Sequence, residues 1–287
     1  MKYFKCLGAG KKALCCRGRA LALTLEEAIK FWDTFLIIYQ IQVSEYPKGF
    51  YIKGQLSAHF DFSVECPFLK NELCSIYENR PAACRIFPWN FDSIYGDIIF
   101  RPKGINKYYI KNLALGDKTF KTLIKDLKKP YLELCGECNS DAIIEEKRLG
   151  YVPLENLLFS VDRNKIRKDL KYQNNLFRFL LNKFPFHKEE LKQIARLISF
   201  QKADKKEVLF IASHIINLGF LYALSLLGKI DFNRLLKTQI ELFSKYDITR
   251  KFLSLKEIYE SIYANSYNFE ELFESIRSFV ENNDYPF

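Results

Sequence analysis

Residues 65–89 read ECPFLKNELCSIYENRPAACRIFPW, and this stretch decides how the N-terminal half is built. Its cysteines, Cys66, Cys74 and Cys84, stand among Glu65, Asn71, Glu72, Arg80 and Arg85, which are not core surroundings. The Arg80-Pro81 step biases Arg80 away from helix, and Pro81 opens a short helical turn that holds Cys84. Upstream, Leu56, Ala58, Phe60, Phe62 and Val64 alternate with Ser57, His59, Asp61, Ser63 and Glu65. That period predicts a half-buried strand running into Cys66. Ile98 and Phe100, after Gly96-Asp97, are expected as a partner strand. The picture is a small sheet presenting cysteines at strand ends and loops.

Working outward, eight cysteines fall in the first 138 residues of the 287 and none follows: Cys6, Cys15, Cys16, Cys66, Cys74, Cys84, Cys135 and Cys138. The last two form a CxxC pair, the spacing that lets two thiolates grip one ion. Disulfides need an oxidising compartment. The opening MKYFKCLGAGKKALCC has no apolar h-region, so a cytoplasmic setting is expected. Buried free thiols account for one or two of the set, because cysteine packs as a small apolar residue. Metal ligation accounts for the set as a whole, and lysine and arginine neighbours favour the thiolate, the form that binds metal. All eight are candidate ligands. Sulfur donors select zinc or iron–sulfur clusters over magnesium or calcium. Both accept four thiolates, which leaves zinc and a [4Fe-4S] cluster open, as two sites of four or one site with spare thiols. Of the three histidines, His187 and His214 lie in helical patterns, and His59 falls on the expected strand.

The formal charge of +10 is unevenly placed: residues 1–19 carry six Lys or Arg and no acid, and residues 101–129 carry nine against two acids. Both runs flank cysteine segments. Offsetting an anionic metal-thiolate centre explains them, and an acidic partner surface is the alternative. Nucleic acid is not expected, because no nucleic-acid-binding motif accompanies the charge.

Thr24 followed by Glu27 forms a capping box, and Ala28, Phe31, Trp32, Phe35 and Tyr39 recur at helical spacing, predicting a helix over 25–43. From residue 162 onward the pattern is helical throughout, ending in a segment capped by Asn268 with Phe269, Leu272, Phe273, Ile276, Phe279 and Val280 on one stripe. Val208 to Gly228 carries no formal charge over 21 residues, enough to span a bilayer. His214, Asn217, two serines and two glycines inside it favour a buried core helix over a membrane span. Gly8, Gly10 and Ala13 imitate a dinucleotide fingerprint, but no strand of a βαβ unit precedes them. No P-loop, HExxH helix or nucleophile elbow is present, and no catalytic residues are assigned.

Cys66-Pro67-Phe68-Leu69, Cys74-Ser75-Ile76-Tyr77-Glu78, Arg80-Pro81 and Cys84-Arg85-Ile86-Phe87-Pro88 occur in order, preceded by Cys15-Cys16 and Leu23-Thr24-Leu25-Glu26-Glu27. The combination resembles the YkgJ-type cysteine-cluster family of zinc- or iron-chelating proteins and, within it, the FliB-type flagellin lysine N-methylases. The resemblance spans roughly residues 6–105. It implies a ligand role for Cys15, Cys16, Cys66, Cys74 and Cys84. It further implies methyl transfer from S-adenosylmethionine to a lysine of a protein substrate such as flagellin, although no Gly-rich methyl-donor loop follows a strand here. Two departures stand out. Ala9 and Lys12 occupy the first two cysteine positions of the family's C-x-x-C-x-x-C-C opening, and Arg101-Pro102-Lys103-Gly104-Ile105 stands where many members have C-P-G-I. Cys135 and Cys138 are candidates to replace the absent thiolates. The alternative to an enzyme is a metal-binding interaction module whose basic segments contact an acidic partner.

The expected fold is α+β: an N-terminal cysteine-rich metal-binding domain with a small antiparallel sheet over 1–150, followed by an all-α domain over 151–287.

Overall fold

The computed structural model describes residues 3–6, 16, 21–46, 49–58, 65–87, 89–90, 101–102, 143–183, 204–245 and 269–286. Strands β1 (Tyr3–Phe4) and β2 (Leu21–Ala22) precede helix α1 (Leu25–Lys30) and the long strands β3 (Ile37–Tyr46) and β4 (Gly49–Ala58). The cysteine stretch contributes β5 (Leu69–Lys70), β6 (Leu73–Cys74) and α2 (Ala82–Arg85). Short strands β7 (Trp89–Asn90), β8 (Arg101–Pro102), β9 (Ile143–Ile144) and β10 (Val152–Pro153) follow, and the 3₁₀ segment Leu154–Ser160 leads into the helices. These are α3 (Arg163–Lys183), α4 (Asp204–Gly228), α5 (Phe232–Lys245) and α6 (Phe269–Asn282). The protein is α+β, with its described sheets antiparallel and its described C-terminal half helical.

Two compact units interleave along the chain: residues 1–23 with 59–170, and residues 24–58 with 171–287. The sequence alone suggests one linear boundary near residue 150, whereas in the structure the α1–β3–β4 segment groups with the C-terminal helices.

The first unit holds the cysteines. In it β1 lies between β10 and β9, with Phe4 opposite Val152 on one side and Ile143 on the other. Trp89 pairs with Pro102 and Asn90 with Arg101. The expected strand residues Ile98 and Phe100 lie outside the described residues. An apolar core forms from Phe4, Ala22, Ala82, Ala83, Ile86 and Leu154 together with Leu158, Val161, Ile166 and Leu170. Ala82, Ala83 and Ile86 therefore seat α2 on this core by one side, as a short amphipathic turn must be seated to persist.

In the second unit α1 starts on the capping box: Glu27 N–H donates to Thr24 Oγ1 at 3.1 Å, and Thr24 N–H donates to Glu27 Oε2 at 3.1 Å. The continuous helix expected over 25–43 ends after Lys30. Thr34 and Phe35 N–H both return to the Phe31 carbonyl, and the chain then extends into β3. Ile37, Ile38, Ile41 and Val43 are β-branched and lose less side-chain freedom on a pleated surface than in a helix. Strand β4 pairs with β3 throughout, Ile37 facing Ala58 and Tyr39 facing Leu56. Leu56 and Ala58 are buried as the alternation requires; Ser57, expected on the solvent side, is buried too and donates its hydroxyl to the Gln55 carbonyl at 3.3 Å. Residues 59–64 of the expected strand lie outside the described residues.

Helix α4 contains the uncharged stretch and packs against α1, α5, α6 and β3. From Ile215 to Leu224 nearly every side chain is buried, which a helix with neighbours on several sides requires. Asn217 explains the polar atom in the apolar run: its Oδ1 accepts from Tyr39 N–H at 2.6 Å and its Nδ2 donates to Tyr39 O at 3.2 Å. Among the described residues no helix is long and apolar enough to cross a membrane. Residues 187–200 of the expected helical half and the expected cap Asn268 fall outside the described residues.

Candidate metal centre

Cys66 follows Glu65 and precedes a tight turn. Its N–H donates to the Cys16 carbonyl at 2.7 Å, so the two cysteine segments, fifty residues apart in sequence, are joined backbone to backbone. The Cys66 carbonyl in turn accepts from Leu69 N–H at 2.8 Å. Leu69 stands opposite Cys74 across the β5–β6 hairpin, and Ser75 N–H returns to Phe68 O at 2.8 Å. These bonds bring the backbones of Cys16, Cys66 and Cys74 into one neighbourhood.

Asn71 and Glu72 close the hairpin, both with positive φ, at 49° and 63°. A two-residue loop with both centres left-handed follows the right-handed twist of the strands it joins, and asparagine tolerates that conformation far better than glutamate. The hairpin is thus held at some conformational cost next to Cys74.

Cys84 rides on α2. Pro81 caps this helix in extended conformation, Arg80 before it has φ −59° and ψ 148°, and the N–H groups of Cys84 and Arg85 both donate to Pro81 O, at 2.9 and 3.1 Å. Both expectations drawn from the Arg80-Pro81 step are met. Cys6 lies just beyond β1 and packs against the apolar core of its unit. Cys6, Cys16, Cys66, Cys74 and Cys84 are all half-buried. Cys15, Cys135 and Cys138 lie outside the described residues.

The two arginines of the stretch have distinct settings. Arg80 Nε donates to Tyr77 O at 2.7 Å, and its guanidinium lies over the Tyr77 ring at 3.7 Å. Arg85 Nη1 donates to Ser160 O at 3.0 Å, a partner 75 residues away. The i, i+3 spacing of Tyr77 and Arg80 is a signal a sequence reading can find. Nothing local points to Ser160, because its contribution is a backbone carbonyl at the end of a 3₁₀ segment.

Five half-buried cysteines, on loops, a strand end and a one-turn helix, offer the soft sulfur donors that thiophilic ions take. Among the described residues, no three His, Cys, Asp or Glu side chains are grouped so as to hold an ion. The backbone links gather the segments of Cys16, Cys66 and Cys74.

Residues 5–112 match the family model CxxCxxCC, described as "Putative zinc- or iron-chelating domain". The cysteine-rich segment is similar to this domain. The match takes in Cys6, Cys15, Cys16, Cys66, Cys74 and Cys84 and leaves out Cys135, Cys138 and the C-terminal helices, so it covers well under half of the chain. Searches of curated proteins and of solved structures found no match.

Proposed function

We infer that the N-terminal unit binds zinc or an iron–sulfur cluster through cysteine thiolates, with Cys16, Cys66, Cys74 and Cys84 as core ligands and Cys15 beside them. The observation that carries this reading is the backbone bond from Cys66 to Cys16, extended through Leu69 to Cys74, inside the span that matches a zinc- or iron-chelating domain. On this reading metal binding and the folding of this unit are coupled, as in small metal sites. When bound, zinc would cross-link the segments, and a cluster would add electron-transfer capacity.

Cys74→Ala and Cys84→Ala test the assignment. Each variant is expected to lose bound metal and to melt earlier, because removing a ligand forfeits part of the folding free energy supplied by the ion. Unchanged metal content and melting in both variants would refute it.

The finer reading is methyl transfer from S-adenosylmethionine to lysine of a protein such as flagellin, and the motif resemblance in residues 66–88 is its support. Transfer of a labelled methyl group from the donor to flagellin lysines by metal-loaded protein is the expected result. Its absence leaves the interaction module, in which the basic segments meet an acidic partner.

A further inference from the structure

Strand β3 is the last strand of its sheet: β4 pairs with it along one edge, and among the described residues no strand takes up the other. In an antiparallel ladder the backbone groups of alternate residues point to opposite edges. The outward set is identified by its partners: Ile37 N–H donates to Gln239 Oε1 at 2.8 Å, Tyr39 N–H donates to Asn217 Oδ1 at 2.6 Å, and Tyr39 O accepts from Asn217 Nδ2 at 3.2 Å. It is therefore odd-numbered and continues at Ile41, Val43 and Glu45. Two side-chain amides close the edge at its first two outward positions. Beyond them, Gln40 to Tyr46 contain no proline or lysine, the residues that most often blunt an edge, and no glycine; Glu45 is the one charge.

We propose that Ile41 to Glu45 form a docking edge for a second copy of the same strand, paired antiparallel about a two-fold axis at Val43. In this register Val43 stands opposite Val43 of the second copy, Ile41 opposite Glu45, and Glu45 opposite Ile41. Every outward residue beyond Tyr39 then pairs, each pair exchanging both N–H···O bonds, and no glutamate meets a glutamate. The next outward residue is Tyr39, whose backbone is already bonded to Asn217, and it falls opposite Pro47, which has no N–H to give. The ladder thus ends where both chains end it. Moving the axis to Gln42 sets Glu45 against the capped Tyr39, and moving it to Ser44 sets Ile41 against Pro47; either register forfeits pairs. The cap and the proline both belong to this chain, so a second copy matches the edge better than an unrelated extended segment. Such an isologous pairing closes on itself as a dimer. The inference is independent of the metal reading.

The experiment is sedimentation velocity of the full-length protein over a dilution series, under reducing conditions that exclude intermolecular disulfides. Wild-type protein is expected to sediment as a dimer that dissociates on dilution. Val43 N–H points away from β4, so Val43→Pro spares the β3–β4 ladder and removes the donor at the axis. It is expected to raise the dimer dissociation constant roughly tenfold or more, because both bonds of the central pair are lost. Val43→Lys and Val43→Glu place like charges opposite each other, so each alone is expected to be monomeric and the two mixed to form a dimer. That mixture decides the matter if the proline variant does not fold. Wild-type protein that is monomeric at every concentration would overturn the proposal and leave the edge to an extended segment of another protein. A Val43→Pro dimer as tight as wild type, or charged variants that do not recombine, would overturn it as well.

Discussion

Gln239 and Asn217 complete the open edge of β3. Gln239 Oε1 accepts from Ile37 N–H at 2.8 Å, while its Nε2 donates to Phe35 O at 2.9 Å and Trp32 O at 2.5 Å; Asn217 serves both backbone groups of Tyr39. Gln239→Leu would leave a buried N–H and carbonyl unsatisfied, at a cost of about 1–3 kcal/mol each, and is expected to lower stability by roughly 3 kcal/mol in denaturant titration. A loss under about 0.5 kcal/mol would mean the amide is replaceable by water. Tyr39 lies between Phe220, stacked at 3.8 Å, and Phe177 at 5.1 Å, yet its buried hydroxyl has no partner among the described residues. Burial pushes its phenol well above the usual range, and the Tyr172 phenol up to about 12. The sign follows. Unfolded phenols ionise near pH 10 while these stay protonated, so the stability they contribute is complete below that point and falls as pH rises above it, for Tyr172 through the window to about 12. Tyr172→Phe should flatten that fall in a series of melts; an unchanged slope contradicts the burial account. None of these amide bonds and buried phenols is legible in sequence, because each depends on groups brought against it by a distant element.

At the scale of elements, legibility follows locality. The capping box at Thr24 and the turn opened by Pro81 involve residues within one turn of each other, and both are found where the sequence places them. The helix expected over 25–43 fails after Lys30 because its aromatic spacing fits two periods, and the pairing of β3 with β4 decides between them. The β5–β6 hairpin offers a direct test of local strain. Glu72→Gly removes a side chain from a left-handed position and converts the loop to Asn-Gly, so it is expected to stabilise the unit by about 1 kcal/mol. A destabilised variant would show that the Glu72 side chain contributes more than its conformation costs. In α4, a Cβ on Gly219 would sit 2.7 Å from Leu180 Cδ2 and 3.4 Å from Ile276 Cδ1, both on fully buried side chains. Overpacking costs about 1–3 kcal/mol and exceeds the roughly 1 kcal/mol that alanine gains in a helix. Gly219→Ala is therefore expected to lower the melting temperature, and a raised one would contradict the close approach of α4 to α3 and α6.

For the whole molecule, a pattern read along the chain divides it at a point, whereas the contacts place 24–58 with the C-terminal helices. Such interleaving has no local signal, since it arises from which apolar faces bury each other. The cysteine motifs were legible because their spacing and chemistry are local; the convergence of their sulfurs is not a property of any one segment. The +10 charge allows a check on partners: association with single-stranded or duplex nucleic acid is expected to be weak at physiological salt, and tight binding there with a steep salt dependence would reassign the basic runs. The central claim is tested most directly by elemental and acid-labile sulfide analysis of anaerobically purified protein. Zinc or iron is predicted at about one metal centre per four committed thiolates, colourless for zinc, brown with sulfide for a cluster. Metal-free protein in which all eight cysteines are readily alkylated in the native state would contradict it.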